Sequence, residues 1–363
     1  MPKKHCFDKM DGMRICYTGG GTLGHVLPAL SVHQCLKGSK GYECLFIGSR
    51  KPAEKECVEK ECVPFAAIAS GKLRRYPSPK TIFAAFSIMV GFFQSLFILL
   101  RYHPDVLFSK GGYVSVPPVY AAGLLHIPVV THESDLSPGL ANRMNAKVAR
   151  KICVSAPEAG KGLPPEKVVV TGNPLRRELL VPPAFDMKQK LGTAKPLLLV
   201  MGGSQGAHQI NVMVRDNLDA LCSRFFVYHQ CGAKEKEVVT HKDYFCTAFI
   251  DEGLNELYRS ADVVVSRSGA GAIAEICHFG KASVLVPLSE ESSRGDQVAN
   301  ARRLEEKGAA LVVTKESEFL PAVFSLLEDS EKQSRMEKNA SALDENDAAE
   351  KIAAVILSCM KKE

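Results

Sequence analysis

The feature that most constrains the fold of this chain is an alternation of short apolar runs with longer stretches of helical character. The runs are rich in Val, Ile and Leu and recur roughly every 20 to 35 residues. Such spacing is typical of strand–helix–strand units that build a parallel sheet. The predicted strands are 14–18, 44–47, 63–68, 105–109, 128–132, 151–155, 168–171, 196–201, 225–230, 245–250, 261–266, 283–287 and 309–314.

The series of strands runs twice, with a break near Gly172-Asn173-Pro174 and a loose stretch at 181–184. The 363 residues also suit two domains. We therefore predict an α/β fold of two doubly wound, Rossmann-like domains with a ligand cleft between them. The first domain is predicted over 1–176 and the second over 177–346. The remaining segment, 347–363, predicts a closing helix that packs back on the first domain.

Charge is distributed unevenly between the two halves. Residues 1–176 carry 23 basic and 12 acidic side chains, a net charge of +11, whereas 177–363 carry a net charge of −5. The basic half favours an anionic partner such as a phosphorylated substrate or an anionic lipid. The sequence has no basic stripe interleaved with aromatic residues, so we expect no nucleic-acid partner. The twelve cysteines are scattered without a CxxC pair, and the N-terminus has no apolar signal stretch, which favours free thiols in the cytosol.

The segment 82–100 contains nineteen residues and no charge, with Lys72, Arg74, Arg75 and Lys80 before it and Arg101 after it. Its length is enough for a membrane span. A span would, however, divide one parallel sheet between the two sides of a membrane. Two other interpretations remain open. One is a buried crossover helix, and the other is a helix, with or without a break near Gly91, that lies in the interface of an anionic membrane.

Two glycine-rich loops follow the first strands of the two halves, at 19–25 and 202–207. Glycines allow backbone amides to approach a phosphate, and the helix that follows adds its positive end. The first loop satisfies GxGxxG, the pattern of a dinucleotide-binding enzyme. The second strand, however, ends in Gly48-Ser49-Arg50-Lys51, without the acid that binds the NAD ribose. This counts against NAD. NADP remains an option, because Arg50 or Lys51 could bind its 2′-phosphate. An NAD(P)-dependent oxidoreductase is therefore the alternative of a different class.

A third loop, 266–275, follows a valine-rich strand and consists mostly of small residues up to Glu275. Glu275 is placed to accept hydrogen bonds from ribose hydroxyls; the alternative is a helix glutamate exposed to solvent. No Asp-x-Asp motif is present, so we expect no metal ion and no cofactor. A diphosphate would instead be neutralised by Arg176 and by helix amides.

Seven ordered motifs together resemble the MurG family of bacterial glycosyltransferases, over nearly the whole chain. They are GGGTLGHVLPAL, SKGGYVSVPP, HESDLSPGLANR, GNPLR, GGSQGAHQIN, ADVVVSRSGAGAIAEI and DQVANARRLEEKGAA. The resemblance implies the GT-B fold and an inverting transfer of N-acetylglucosamine from UDP-N-acetylglucosamine to lipid I, a muramyl pentapeptide on undecaprenyl diphosphate. The transfer goes to the C4 hydroxyl of the muramyl sugar and forms lipid II in peptidoglycan synthesis. The implied location is peripheral, on the cytoplasmic face of the cell membrane, bound through residues 72–101.

The resemblance also implies which residues contact the nucleotide sugar. They are Ile250 for the uracil, Ala270, Gly271, Ala272, Ile273, Ala274 and Glu275 along the nucleotide, Ser204 and Arg176 for the diphosphate, and Gln297 for the donor sugar.

In the N-terminal domain, the resemblance implies that Thr22, Leu23 and Gly24 face the sugar and the acceptor diphosphate, and that His25 is essential. The resemblance further implies that position 135 completes the donor-sugar contacts. The sequence departs from the family at this position, because HESD (132–135) stands where HEQN is usual. Asp135 accepts hydrogen bonds but cannot donate them as an asparagine does. Histidine suits a general base at neutral pH, so His25 is the first candidate base and Asp135 the second. His132 is interpreted as a support for the loop.

Three further functions are compatible with parts of the sequence. The chain could be another GT-B UDP-sugar transferase with a different lipid or small-molecule acceptor. A non-catalytic nucleotide-sugar-binding subunit would be expected to have lost His25, Arg176 or Glu275, and all three are present. The third alternative is an integral membrane protein, and only the segment 82–100 supports it.

Overall fold

The fold was analysed in a computed structural model of the chain. It describes residues 12–71, 79–203, 206–233, 235, 239–288 and 295–360, with the backbone alone for 79–82. The chain forms two compact units. Unit 1 contains the described residues up to Arg176 together with 347–360, and unit 2 runs from Arg177 to Asn346.

Unit 1 is built on a parallel sheet whose described strands lie in the order β3-β2-β1-β4-β5-β6-β7. The order reverses between β1 and β4, which are hydrogen-bonded with Thr18 opposite Ser109. This is the doubly wound arrangement that the spacing of apolar runs predicts. The strands are β1 (Met13–Thr18), β2 (Tyr42–Gly48), β3 (Phe65–Ala67), β4 (Val106–Ser109), β5 (Val129–Glu133), β6 (Lys151–Val154) and β7 (Val168–Val170).

Helices cover both faces of this sheet, so the central strands are buried on both sides and consist almost entirely of apolar residues. The helices are α1 (Leu23–Leu36), α2 (Pro52–Lys60), α3 (Pro79–Tyr102), α4 (Val116–Leu124) and α5 (Leu140–Val148). Short 3₁₀ turns lie at Tyr113–Ser115, Pro157–Gly160 and Pro165–Lys167.

Unit 2 repeats the plan with described strands in the order β10-β9-β8-β11-β12-β13. The strands are β8 (Leu197–Met201), β9 (Phe226–Gln230), β10 (Tyr244–Thr247), β11 (Val263–Ser266), β12 (Ser283–Leu285) and β13 (Leu311–Val312). The helices are α6 (Met187–Leu191), α7 (His208–Asp216), α8 (Leu218–Arg224), α9 (Leu254–Ser260), α10 (Ala270–Phe279), α11 (Asp296–Glu306), α12 (Glu316–Glu328) and α13 (Ser330–Ser341), after a 3₁₀ turn at Arg177–Leu179. Each of the thirteen predicted strands overlaps a strand of the structure.

The last helix, α14 (Ala348–Cys359), belongs to unit 1. Its apolar face, including Ile352 and Ile356, is fully buried in the core that also contains Val26 and Leu30 of α1. The chain therefore returns to the first unit after completing the second.

Helix α3 covers the apolar segment and decides between some of the sequence-based interpretations. It is continuous through Gly91, so of the two forms considered for an interfacial helix the unbroken one is present. Gly91 is where the helix packs tightly, because a Cβ there would lie 2.0 Å from the carbonyl oxygen of Ala69. The outer face is exposed, with Phe83 73% and Phe97 66% accessible, so the interpretation as a buried crossover helix is wrong. By length and composition alone, 83–102 could cross a membrane, although part of it is packed against the unit.

Candidate functional site

The topology of the two sheets indicates where ligands bind. In doubly wound sheets, the crevice lies outside the carboxyl ends of the two strands between which the strand order reverses. In unit 1 these strands are β1 and β4, and in unit 2 they are β8 and β11. The glycine loops at 19–25 and 202–207 follow β1 and β8, so each predicted phosphate loop lies at its unit's reversal point.

His25 lies in the first turn of α1, directly after the first glycine loop. Its Nδ1 is 3.0 Å from the Thr22 hydroxyl, and its backbone N–H donates to the Thr22 carbonyl at 3.1 Å. If Nδ1–H donates to Thr22 Oγ1, the lone pair of the ring lies on Nε2, as a general base requires. The loop after β4 packs against this turn, since a Cβ on Gly112 would lie 3.3 Å from the His25 ring and 2.3 Å from the Gly20 oxygen.

A buried carboxylate holds the first glycine loop. Glu54 of α2 is almost inaccessible and accepts from the Gly21 N–H at 2.7 Å, the Ser49 N–H at 3.0 Å and the Ser49 hydroxyl at 2.7 Å. Lys51 Nζ donates to the Gly21 carbonyl at 2.5 Å. Lys51 was predicted only as a cofactor phosphate ligand. Glu54 was not predicted, since nothing in the sequence distinguishes it from the other glutamates of its helix.

We expect Glu54→Ala to destabilise unit 1, because it leaves three donors without their buried acceptor at about 1–3 kcal/mol each. A loss of about 3 kcal/mol or more in the free energy of unfolding should appear in urea titrations followed by circular dichroism. The control is Glu56→Ala on the same helix, where the side chain is exposed and a change within about 0.5 kcal/mol is expected. Equal stability of the two variants would contradict this role of Glu54.

The end of β5 carries the predicted HESD segment. His132 is fully buried, and its Nε2–H donates to the Gly172 carbonyl at 2.8 Å. Burial, and the nearby charge of Lys110, lower the pKa of His132 well below its usual value, so the ring is neutral. Glu133 accepts from the backbone N–H groups of Asp135 and Gly139, each at 3.0 Å, and from Asn142 Nδ2 at 2.9 Å. These contacts fix the turn on which Asp135 lies.

In unit 2, Gln230 connects two parts of the predicted nucleotide site. Its Nε2 donates to the Gly203 carbonyl at 3.0 Å, and its Oε1 accepts from the Ile250 N–H at 3.0 Å. The Ile250 N–H is thus already engaged, so a hydrogen bond from it to the predicted uracil would require displacement of Gln230. Ser204 lies outside the described residues. Gln230 was not predicted, although a polar residue at the end of an apolar strand could have indicated a binding residue.

Helix α10 supplies the stretch Ala270–Glu275. Gly269 precedes its first turn, and the helix follows β11 directly, so its N-terminal amides lie at the carboxyl edge of the sheet. Glu275 lies five residues after Ala270, about 7.5 Å along the axis at 1.5 Å per residue. That separation suits an anion at the helix end and ribose hydroxyls at Glu275. The carboxylate is held by the Tyr258 hydroxyl at 2.9 Å.

Two more predicted residues lie near these edges. The backbone carbonyl of Gln297, in the first turn of α11, accepts from the Ser268 hydroxyl at 2.7 Å, and its Oε1 accepts from the Leu288 N–H at 3.1 Å. Arg176 follows β7 and is half-buried. Arg267, which was not predicted, lies buried at the end of β11 and donates to Gln209 Oε1 at 3.0 Å.

Comparison with protein families decides the class of this site. Residues 15–154 match the glycosyltransferase family 28 N-terminal domain, and residues 197–354 match the glycosyltransferase family 28 C-terminal domain. The chain belongs to glycosyltransferase family 28. The two parallel sheets and this membership confirm the predicted GT-B fold, and the oxidoreductase alternative is wrong.

Several curated relatives within the family share a single enzyme name, UDP-N-acetylglucosamine–N-acetylmuramyl-(pentapeptide) pyrophosphoryl-undecaprenol N-acetylglucosamine transferase. The one from Clostridium botulinum strain Langeland is 43% identical over 84% of this chain and 86% of its own length. The one from Lachnoclostridium phytofermentans is 41% identical over 94% of this chain and 98% of its own length. A crystal structure of MurG from Acinetobacter baumannii matches with a TM-score of 0.73 and 26% identity, over 95% of this chain and 99% of the other. The resemblance to the MurG family is confirmed.

Proposed function

We propose that this glycosyltransferase moves N-acetylglucosamine from UDP-N-acetylglucosamine to the C4 hydroxyl of the muramyl sugar of lipid I. The product is lipid II, and the configuration at the anomeric carbon is inverted. The observation that carries the proposal is the identity of 41–43% to relatives that bear this enzyme name over most of both chains. Phosphate-type loops at the reversal points of both sheets support it, since donor and acceptor each contain a diphosphate.

Unit 2 is proposed to bind the donor. The amides at the start of α10 contact the diphosphate, Glu275 binds the ribose hydroxyls and Ile250 binds the uracil. Ser204 is proposed to add a diphosphate contact, and Gln297 to contact the donor sugar. Arg176, which belongs to unit 1, is also proposed as a diphosphate ligand. Because these groups neutralise the charge that develops on the leaving UDP, they stabilise the transition state without a metal ion.

Unit 1 is proposed to bind the acceptor and to remove its proton. The loop Thr22, Leu23 and Gly24 contacts the acceptor diphosphate and the sugar. His25 takes the proton of the C4 hydroxyl as the oxygen attacks the anomeric carbon, and the bond to UDP breaks on the opposite face. Asp135, at the end of a neighbouring strand, contacts the donor sugar and is the second candidate base.

The proposal is tested by transfer of radiolabelled sugar from UDP-N-acetylglucosamine to a short-chain lipid I analogue, with and without EDTA. We expect transfer at the same rate in both. Tight UDP-sugar binding without transfer would favour the alternative, a GT-B transferase with another acceptor. Loss of transfer in EDTA that Mg²⁺ restores would contradict the metal-free mechanism.

Unit 1 is also proposed to lie peripherally on the anionic, cytoplasmic face of the cell membrane through residues 72–101. The exposed side of α3 presents a continuous apolar stripe, and basic residues flank the helix in the sequence. Apolar side chains of this kind insert at the lipid interface, while the basic flanks attract anionic headgroups. The stripe consists of Phe83, Phe86, Met89, Phe93, Phe97 and Leu100.

We expect the double variant Phe86→Glu, Phe93→Glu to lose about 100-fold in affinity for phosphatidylglycerol vesicles, since each buried aromatic contributes about 1.5–3 kcal/mol. Cosedimentation measures the loss. The control variant Val170→Glu, Phe245→Glu changes exposed apolar residues outside α3 and should bind like the wild type. Equal binding by both variants would contradict the role of the stripe, and wild-type protein that only detergent releases would indicate a span.

A further inference from the structure

A buried lysine lies between the two loops of unit 1 that the proposed mechanism uses. Lys110 directly follows β4 and is only 2% exposed. Its backbone N–H donates to the Thr18 carbonyl of β1 at 2.9 Å, and a Cβ on Gly19 would lie 3.3 Å from its own Cβ. Lysine is almost never fully buried unless it is paired, because removing an ammonium from water is costly. The buried ammonium of Lys110 therefore requires negative charge nearby.

The partners of the ammonium come from the end of β5. Lys110 Nζ donates to the Ser134 hydroxyl. Burial lowers the pKa of Lys110 to about 8, while the charges of Glu133 and Asp135 oppose that decrease. At pH 7 the side chain is thus mostly protonated. His132, whose pKa burial and the charge of Lys110 both lower, is neutral and adds no charge.

The same turn is anchored on both sides. Glu133 accepts from the N–H groups of Asp135 and Gly139, and the Ser134 carbonyl accepts from the Ser155 hydroxyl at 2.7 Å. Glu133 and Asp135 place two carboxylates within three residues, which repel each other unless a cation balances them. Lys110 supplies that cation and at the same time binds the residue between them.

We propose that Lys110 is a positioning residue of the transfer reaction, whose buried ammonium balances Glu133 and Asp135 and holds Ser134 so that Asp135 is aimed at the donor sugar. The inference rests on the proposed function. It adds to that function the cation that balances and positions the aspartate at position 135. Lys110 itself does not touch substrate.

A purely structural lysine would behave differently on substitution. Replacing a buried ion by an apolar side chain of similar volume is often neutral or stabilising for the fold. Lys110→Met should therefore fold. Its activity should nevertheless fall, because Asp135 loses its counter-charge and the turn loses the contact at Ser134.

The test compares wild type, Lys110→Met, Asp135→Asn and the double variant in the lipid I transfer assay. We expect Lys110→Met to lower kcat by about ten- to a hundredfold, with UDP affinity within about threefold of wild type. The double variant should be no worse than Lys110→Met, since an asparagine needs no counter-charge and coupled neighbours are not additive. Unchanged kcat in Lys110→Met, or losses that multiply in the double variant, would overturn the proposal.

Two further readouts make the test decisive. If Lys110→Met does not fold, the pH profile of Asp135→Asn replaces it. The alkaline decline in activity should move to lower pH, because the ammonium has lost a carboxylate that holds its proton. A decline that stays at the wild-type pH would overturn the proposal.

If the wild type transfers no sugar, the proposed function fails. Thermal unfolding of the four proteins then tests Lys110 separately: coupling between positions 110 and 135 supports the charge balance, and additivity overturns it.

Discussion

His25→Ala should lower kcat for N-acetylglucosamine transfer by about 10²- to 10⁴-fold, the usual contribution of a positioned general base. The substitution removes the ring whose Nδ1 contacts Thr22 and leaves a good helix former in the first turn of α1. UDP binding, measured by calorimetry, should stay within about threefold of wild type, because the proposed contacts to UDP do not involve this residue.

The contact between Thr22 and His25 provides the control for this prediction. Thr22→Ser keeps a hydroxyl for Nδ1 and should retain most of the activity, whereas Thr22→Val keeps the shape, removes the acceptor and should lower kcat about tenfold. A His25→Ala enzyme within about threefold of the wild-type kcat would contradict the assignment of the base. The larger loss would then be expected in Asp135→Asn.

Glu275→Ala should raise the KM for UDP-N-acetylglucosamine by about 10- to 100-fold, with a smaller effect on kcat. A hydrogen bond to a charged group contributes about 1.5–3 kcal/mol, and the ribose offers two hydroxyls. The carboxylate is oriented by Tyr258, so Tyr258→Phe should give a change in the same direction but smaller. Initial rates over a range of donor concentrations measure both constants.

A deoxynucleotide separates a ribose contact from a general disturbance of α10. UDP should inhibit the wild type much more strongly than 2′,3′-dideoxy-UDP, and Glu275→Ala should be inhibited about equally by the two. If the variant still discriminates between them as the wild type does, Glu275 does not bind the ribose.

The layout of the strands could be predicted because it depends on local sequence. Buried parallel strands are short continuous apolar runs, and each of the thirteen was recognisable without tertiary information. The glycine loops could be placed for the same reason, since they follow the first strand of each series. Membership of glycosyltransferase family 28 follows from motifs that are contiguous in the sequence.

The side chains that hold the site could not be predicted, because their partners are distant in the sequence. Glu54 binds Gly21 across 33 positions, and Lys110 binds Ser134 across 24. The apolar composition of α3 is evident, but its exposed face depends on which side packs against the unit. The role of Gly91 could not be predicted either, because that glycine permits a close approach to Ala69 within a continuous helix rather than a bend.

The most direct test of the proposed function is the structure of the reaction product. Lipid I analogue and UDP-N-acetylglucosamine should be incubated with the wild-type enzyme, and the new glycosidic bond read by NMR. The account predicts one N-acetylglucosamine per acceptor, joined through a β bond to the C4 oxygen of the muramyl sugar, with one UDP released. An α bond, attachment to another hydroxyl, or release of UDP without a disaccharide product would contradict it.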